Sequence, residues 1–276
     1  MKYKLFVTDM DGTLLNSSKE ITKENKAAVN RLIENGIEVV LASGRHPVLL
    51  KGYPKKLGID TPVIGCNGGM IKDLMSEEVL YMSEMNMDSV KKAIEIANKF
   101  NVDFWIYEKE NIFYNRENDR VRKHLENNKN ASRDEFVPIK KFNSISDFTE
   151  NAAKITKVLF ILIGREDMKE KLFYELEKIS DIELCQSDRV LIDVMNKGIT
   201  KGRAVKLYAE KKGIKKEEII AIGDNHNDIS MIEYAGLGIA MGNAEEDVKK
   251  VSKYVTEDCD SNGLAEAVDK ILKGQL

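Results

Sequence analysis

The chain has 276 residues, which is enough for one large domain or two smaller ones. Hydrophobic residues make up 42% and charged residues 32%, a composition typical of globular proteins that excludes disorder. The formal net charge is −3 and the sequence has no basic block, so we expect no nucleic-acid partner. Three scattered cysteines predict neither a disulfide framework nor a zinc site. The first residues lack an apolar signal core, so we expect a cytoplasmic protein without a membrane partner.

The first 83 residues predict alternating strands and helices. The apolar run Leu5–Val7 predicts a buried strand that leads directly into Asp9-Met10-Asp11-Gly12-Thr13. The elements predicted after it are a helix over 23–34 capped by Thr22, a strand over 37–43, a further helix, a strand over 62–65, and a hairpin at 70–71 and 79–81. Strand, helix and strand of these lengths indicate a parallel βαβ unit.

The middle of the chain predicts a separate α+β module with mostly antiparallel strands. Its predicted elements are a helix over 88–100, strands over 103–107 and 112–114, an exposed helix within 117–134, a strand over 156–163, a helix over 167–179, and strands over 182–186 and 190–194.

The α/β pattern returns at Thr200. Its predicted elements are helices over 201–212, 229–235, 245–251 and 263–272, and strands over 219–222, 237–240 and 254–255. The predicted fold class is therefore α/β, with a Rossmann-like parallel sheet, helices on both of its faces, and an inserted α+β domain. Residues 1–83 and 195–276 form the predicted core, and residues 84–194 form the insertion.

Polar residues follow several of the predicted parallel strands or begin helices. They are Asp9 and Asp11, Ser43-Gly44-Arg45, Lys201, and Asp224 with Asp228. Because the carboxyl ends of parallel strands meet at one edge of a sheet, we expect these groups to converge. If the first strand continued, Asp9 and Asp11 would point to the same side. Several carboxylates suit Mg²⁺ better than zinc, and a lysine beside a Ser-Gly backbone suits a phosphate group.

These residues resemble the motifs of the haloacid dehalogenase-like phosphohydrolases. The run Asp9-Met10-Asp11-Gly12-Thr13 is similar to the first motif of that family, Ser43 to the second and Lys201 to the third. The run Gly223-Asp224 with Asn227-Asp228 is similar to the fourth. Four matches in order, over nearly the whole chain, are a specific signal. The insertion between the second and third motifs, Asn67-Gly68, and the run from Lys197 to Gly202 resemble the Cof-type subgroup, whose cap domain lies there.

The resemblance implies a role for each of these residues. Asp9 would form an aspartyl-phosphate, and Asp11 would act as general acid and then base. Mg²⁺ would be held by Asp9, the backbone carbonyl of Asp11 and Asp224, and Asp228 would support the metal or orient Lys201. The expected phosphate-binding residues are Ser43, Gly44, Lys201 and Asn227. Asn67 either reaches the substrate or only makes a turn, and Arg45 either binds the substrate or forms a salt bridge.

The implied function is hydrolysis of a small phosphorylated metabolite, such as a sugar phosphate, by a Mg²⁺-dependent phosphatase. Two alternatives stay open: a phosphomutase on the same scaffold, and a non-catalytic protein that binds a phosphometabolite or accepts a phosphoryl group. Asp11 and the large insertion count against the second alternative. His226, within the fourth motif, is expected to face solvent.

Overall fold

A computed structural model gives the fold and describes residues 2–132, 135–146, 148 and 153–276. The chain divides into two compact units. The first comprises Met1–Gly44, Tyr53–Leu80 and Thr200–Leu276, and the second comprises Arg45–Gly52 and Tyr81–Ile199. None of the helices within these described residues combines the length and the apolar character that crossing a bilayer would require.

The chain begins with the predicted βαβ unit. The first five strands are β1 (Leu5–Thr8), β2 (Glu38–Leu41), β3 (Val63–Gly65), β4 (Met70–Lys72) and β5 (Val79–Met82), and the α-helices among them are Lys23–Glu34 and Tyr53–Leu57. Thr22 caps the first helix as predicted, because its side chain accepts a hydrogen bond from the backbone N–H of Asn25 at 3.1 Å. The further helix predicted after Arg45 is instead a 3₁₀ turn over Pro47–Leu49 and the short helix Tyr53–Leu57.

The second unit contains a six-stranded sheet. Its strands are β6 (Asp103–Glu108), β7 (Ile112–Tyr114), β8 (Ile139–Lys141), β9 (Ile155–Ile161), β10 (Ile182–Asp188) and β11 (Leu191–Asn196), and its α-helices are Met87–Lys99, Asp119–Asn128 and Lys169–Leu176. The order is β10-β11-β9-β6-β7-β8, and every pair is antiparallel except β7 with β8. Of the exposed helix predicted within 117–134, residues 133 and 134 lie outside the described part of the chain.

The core of this unit lies between one face of the sheet and the helices Met87–Lys99 and Lys169–Leu176. Val158 and Phe160 of β9 point into it, as do Val90 and Leu172 from the two helices. β8 is the one strand here that was not predicted. Only Ile139 of its three residues is buried, so its sequence shows no apolar alternation.

The last part of the chain completes the first unit. It contains β12 (Ile219–Gly223), β13 (Leu237–Ala240) and β14 (Tyr254–Val255), and the α-helices Lys201–Lys212, Ile229–Tyr234, Glu246–Val251 and Gly263–Leu272. The sheet has the order β14-β13-β12-β1-β2 with all strands parallel. Lys23–Glu34 packs against Gly263–Leu272, and Lys201–Lys212 packs against Ile229–Tyr234. The predicted α/β class, with helices on both faces, is confirmed.

The register of the sheet brings the ends of three strands level. Thr8, the last residue of β1, lies opposite Ile222 of β12 and opposite Leu41 of β2. The residues that follow therefore leave the sheet at one edge. This register places Asp9 and Asp224 side by side, although 215 positions of sequence separate them.

The helix Lys201–Lys212 approaches its neighbour closely at Gly202. A Cβ atom built there would lie 2.2 Å from the carbonyl oxygen of Ser230. A glycine-to-alanine change inside a helix ordinarily stabilises by about 0.5–1 kcal/mol. Here overpacking, which costs about 1–3 kcal/mol, should reverse the sign.

We therefore expect Gly202→Ala to lower the thermal unfolding midpoint by several degrees, at about 2–4 °C per kcal/mol. The matched control is Lys206→Ala in the same helix, since the Lys206 side chain is 56% exposed. The control should stay close to the wild type. A midpoint above that of the wild type in Gly202→Ala would contradict the close helix contact.

Candidate active site

Three carboxylates meet where β1 and β12 end. Asp9 directly follows β1, and its backbone N–H donates to the carbonyl oxygen of Ile222 at 3.0 Å. Asp224 directly follows β12, and Asp228 lies one turn further along the chain. One carboxylate oxygen from each of the three lies within 4.8 Å of the others. The predicted convergence of the first and fourth motifs is therefore present in the fold.

Lys201 lies between two of these acids. It is the first residue of its helix, which begins where the hydroxyl of Thr200 accepts a hydrogen bond from the backbone N–H of Arg203 at 3.1 Å. The buried ammonium donates to Asp9 Oδ1 and, at 2.6 Å, to Asp228 Oδ1. Burying an unpaired ammonium costs several kcal/mol, and these two carboxylates offset that cost.

Asp228 uses both of its oxygens within the protein. Oδ1 accepts from Lys201, and Oδ2 accepts from the backbone N–H groups of Asp224 and Asn225, each at 3.0 Å. These bonds fix the turn after β12 and aim the ammonium at Asp9. The arrangement fits the orienting role that the sequence resemblance allowed for Asp228.

Asp224 is held by two side chains that the sequence analysis did not assign a role. The hydroxyl of Thr13 donates to Asp224 Oδ1 at 2.9 Å. Asn243 Nδ2 donates to the carbonyl oxygen of Gly12 at 2.9 Å and lies 3.4 Å from Asp224 Oδ2. Gly12 has a φ of +83°, and a Cβ there would lie 2.5 Å from Asp224 Oδ2. Asn243 was detectable in principle, because it follows β13 at the same edge of the sheet.

Burial disfavours the ionised forms of Asp9 and Asp224. Burial raises the pKa of Asp9 to about 7, with Lys201 opposing the rise and the charge of Asp228 adding to it. Burial, followed by the charges of Asp9 and Asp228, raises the pKa of Asp224 to about 8. Burial alone would lower the pKa of Lys201, but the charges of Asp228 and Asp9 outweigh it and raise that pKa. Three carboxylates thus share one ammonium, which leaves an excess of negative charge.

The donor set fits a divalent cation that prefers oxygen ligands. Among the described residues, the second oxygen of Asp9 has no hydrogen-bond partner, and Asp224 lies beside it. Burial raises both pKa values and the charges of neighbouring carboxylates raise them further, and a cation there would offset that repulsion. Carboxylate oxygens at an open position suit Mg²⁺.

Asp11 does not join this group of acids. The chain leaves the sheet after Thr8, so the expectation that Asp9 and Asp11 point to the same side does not apply. The carboxylate of Asp11 forms a salt bridge with Lys19 at 3.0 Å, and its side chain is 31% exposed. The two acids of the first motif therefore have different surroundings. Asp9 is buried beside Lys201, and Asp11 is partly exposed beside Lys19.

The remaining predicted binding residues divide between the two units. The carbonyl oxygen of the buried Ser43 accepts from the backbone N–H of Asn67 at 3.1 Å, and Gly44 follows Ser43 directly. Asn67 Oδ1 accepts from Asn227 Nδ2 at 3.0 Å, so these side chains link the second motif to the fourth. Arg45 belongs to the second unit. His226 is half exposed and lies 3.8 Å from Asp247.

Comparison with known proteins identifies the class to which this fold and site belong. A family profile described as haloacid dehalogenase-like hydrolase matches residues 6–268. The chain therefore belongs to the haloacid dehalogenase-like hydrolase family. The predicted Cof-type subgroup and the predicted enzyme class, phosphoric monoester hydrolase, are confirmed.

Individual relatives are similar over their full lengths. The 5-amino-6-(5-phospho-D-ribitylamino)uracil phosphatase YcsE of Bacillus subtilis is 29% identical over 266 residues, covering 96% of this chain and 94% of that protein. The pyridoxal phosphate phosphatase YbhA of Escherichia coli is 28% identical over 270 residues, covering 97% and 98%. The crystal structure of a haloacid dehalogenase-like hydrolase from Bacteroides thetaiotaomicron has a TM-score of 0.82 at 33% identity, covering 98% and 99%.

The ammonium of Lys201 should control how the protein's stability depends on pH. In Lys201→Met, the buried Asp9 loses the ammonium that favours its charged form, so Asp9 must hold a proton to stay buried. The unfolded chain loses that proton above about pH 4. The folded variant therefore binds more protons than its unfolded state, and its stability falls as the pH rises.

We expect Lys201→Met to lose about 3–5 kcal/mol of unfolding free energy at pH 8 and less at pH 5. Urea unfolding at both pH values measures this difference. Lys206→Met, which removes a lysine that is 56% exposed, serves as the control and should change little at either pH. An equal loss at both pH values in Lys201→Met would show that the ammonium does not favour the charged form of Asp9.

Proposed function

We propose that this protein is a Mg²⁺-dependent phosphatase that hydrolyses a small phosphorylated metabolite, such as a sugar phosphate, through an aspartyl-phosphate on Asp9. One observation carries the proposal: buried Asp9 shares the ammonium of Lys201 with Asp228 and lies beside Asp224. This arrangement holds a carboxylate nucleophile in one orientation.

We propose that Asp9, Asp224 and the backbone carbonyl of Asp11 hold the Mg²⁺, with Asp228 supporting the site through Lys201. When bound, the cation reduces the repulsion between an anionic nucleophile and an anionic phosphate ester. The raised pKa values of Asp9 and Asp224 support this assignment, since burial raises both and the charges of neighbouring carboxylates raise them further.

In the proposed reaction, an oxygen of Asp9 attacks phosphorus, and the bond from phosphorus to the ester oxygen breaks. Asp11 gives its proton to the departing oxygen, so the alcohol leaves in neutral form. A water then attacks the phosphorus of the aspartyl-phosphate, and Asp11 takes a proton from that water. Asp9 is released as a carboxylate together with inorganic phosphate. The side chain of Asp11, beside Lys19, is partly exposed, which suits exchange of protons with solvent.

The phosphoryl oxygens would be held by Ser43, Gly44, Lys201, Asn67 and Asn227. An ammonium has three N–H donors, and the described bonds of Lys201 use two of them. The third is therefore available to a phosphoryl oxygen. Because negative charge spreads over these oxygens during transfer, fixed donors contribute most of the catalysis.

Substrate choice is proposed to lie with the inserted domain, residues 84–194, and with Arg45. The two relatives named above carry different substrates in their names, a ribitylaminouracil phosphate and pyridoxal phosphate. We therefore propose the class of small phosphate esters and no single compound. The core boundaries at 1–83 and 195–276, the cytoplasmic location and the absence of a nucleic-acid partner stay predictions.

The nucleophile is tested by assaying Asp9→Asn, Asp11→Asn and the wild type with p-nitrophenyl phosphate and Mg²⁺. We expect Asp9→Asn to lose activity by roughly a thousandfold or more, because an amide does not replace the attacking oxygen. p-Nitrophenolate leaves without a proton, so Asp11→Asn should form the aspartyl-phosphate and hydrolyse it slowly. Mass spectrometry of the intact variant would then detect bound phosphate.

The matched control is Asp60→Asn, an exposed acid in the same unit, which should keep wild-type activity. Undiminished Mg²⁺-dependent turnover in Asp9→Asn would reject the mechanism.

Mg²⁺ binding should become stronger as the pH rises from 6 to 8. Without metal, Asp9 and Asp224 have pKa values near 7 and 8, so they are partly protonated in this range. Mg²⁺ must displace those protons, and the apparent affinity should level off once the pH exceeds both values. Calorimetry in two buffers with different ionisation enthalpies measures the protons released.

Two variants make this measurement specific. Asp224→Asn should weaken Mg²⁺ binding. Asp11→Asn should keep both the affinity and its pH dependence, because the variant retains the backbone carbonyl and Asp11 lies outside the acid group. A Mg²⁺ affinity that does not change between pH 6 and pH 8 would contradict the assignment of Asp9 and Asp224 as ligands.

A further inference from the structure

The six-stranded sheet of the second unit has two buried faces, and only one of them packs on the hydrophobic core. Alternate residues of a strand point to opposite faces. Ile106, Val158 and Val194 point into the core. Their neighbours along the strands therefore point to the other face, which is also buried but mixes aromatic, charged and aliphatic side chains. These residues are Trp105, Tyr107, Lys157, Leu159, Asp193 and Met195.

Two polar atoms on this second face have no hydrogen-bond partner. Within the described residues of the second unit, Nε1 of Trp105 and Oδ2 of Asp193 are the only buried side-chain nitrogen or oxygen atoms in that state. Such atoms are costly and uncommon in native proteins. Turning the groups over does not supply a partner, because an indole has one N–H donor and an ionised carboxylate only accepts.

The register of the sheet places these two residues in one row. Trp105 of β6 and Asp193 of β11 both pair with Leu159 of β9, one from each side. Neighbouring strands lie about 4.8 Å apart, so the two residues are about 10 Å apart at the backbone. One water bonded to both atoms would need them within about 6 Å of each other. A ligand with several polar atoms fits this spacing better.

The surroundings of Asp193 indicate that the missing group is neutral. Its Oδ1 accepts from the ammonium of Lys157, so one carboxylate is already balanced by one cation. A further charge beside this buried pair would be left without compensation. The ligand must accept from Trp105 and donate to Asp193, and a hydroxyl group can do either. A neutral molecule with several hydroxyl groups therefore meets both requirements.

Two side chains of the helix Asp119–Asn128 cover the indole. The guanidinium carbon of Arg120 lies 5.2 Å from the centre of the Trp105 ring system, and the ring of His124 lies 5.7 Å from it, centre to centre. Arg120 and His124 are both only partly buried. A ligand can therefore reach the indole by displacing side chains, without any change in the sheet.

We propose that Trp105 and Asp193 form a binding site for the hydroxyl groups of a polyol or sugar. Nε1 of Trp105 donates to one hydroxyl oxygen, and Oδ2 of Asp193 accepts from another hydroxyl of the same molecule. The proposal rests on the phosphatase function proposed above in one respect, that the polyol or sugar is the alcohol part of the phosphate ester. The two residues then determine specificity and take no part in the chemical steps.

Fluorescence tests the site without turnover. Trp105 is the single tryptophan of the chain, so a change in indole emission reports on this position. We expect sorbitol, a six-carbon polyol without phosphate, to change the emission of the wild type and to saturate. The control is Tyr114→Phe, which removes a hydroxyl from the residue opposite Trp105 on β7 and should respond as the wild type does.

A double substitution removes the acceptor while Trp105 stays in place to report. In Lys157→Met with Asp193→Leu, apolar side chains replace the ion pair, an exchange that buried pairs often tolerate. We expect this variant to unfold cooperatively, with a thermal midpoint within a few degrees of the wild type, and to lose the response to sorbitol.

Two matched esters, sorbitol 6-phosphate and n-hexyl phosphate, test the link to substrate choice. They have the same phosphate group and the same number of carbon atoms. We expect the wild type to prefer sorbitol 6-phosphate about a hundredfold in kcat/KM, at about tenfold for each of two hydrogen bonds. Trp105→Phe keeps an aromatic ring without the N–H and should reduce the preference about tenfold, mainly through KM. Tyr114→Phe should keep the full preference.

An equal sorbitol response in the wild type and the double variant would overturn the proposal, because the two atoms would then be satisfied by water. Equal kcat/KM values for the two esters in the wild type, or an unchanged preference in Trp105→Phe, would also overturn it. This second measurement does not depend on how the double variant folds. A wild type that responds to sorbitol but hydrolyses neither ester nor p-nitrophenyl phosphate would instead refute the proposed function and leave the binding site standing.

Discussion

The hydrogen-bonded ion pair from Lys201 to Asp9 and Asp228 is the interaction on which the rest of the site depends. It joins Asp9, which follows the first strand, to a lysine 192 positions later in the sequence. The ammonium could not be buried without the two carboxylates, which offset the cost of removing its charge from water. The same contact orients Asp9, since one of its oxygens is held and the other is left for chemistry.

Surroundings, more than spacing, distinguish the acids of the first motif. Asp9 and Asp11 are two residues apart, but the strand has already ended at Thr8, so both lie outside its regular alternation of side chains. Asp9 lies in the buried cluster, where burial raises its pKa to about 7. The side chain of Asp11 is partly exposed and pairs with Lys19. The proposed nucleophile needs a fixed position, and the proposed general acid and base needs access to water. The end of β1 at Thr8 places Asp9 and Asp11 in surroundings that suit these two proposed roles.

The sequence predicted those parts of the structure that local rules determine. The helix over 201–212 has the predicted bounds because Thr200 caps it and Gly213 ends it in a left-handed conformation. The meeting of Asp9 with Asp224 followed from the rule that parallel strand ends share an edge. Asn243 follows β13 at the same edge of the sheet, but its role depends on contacts with Gly12 and Asp224, which are 231 and 19 positions away. The bond between Asn67 and Asn227 spans 160 positions and has no local signal.

A second buried ion pair differs from the one around Lys201 in its balance of charge. In the second unit, Lys157 of β9 bonds to Asp193 of β11, and both side chains are almost fully buried. That pair contains one ammonium and one carboxylate, so its charges balance. Around Lys201, one ammonium faces three carboxylates. Burial is similar in the two places, so burial alone does not identify a ligand site. The imbalance of charge distinguishes the two places, because carboxylates in excess at such short range call for compensation by a cation or by a proton.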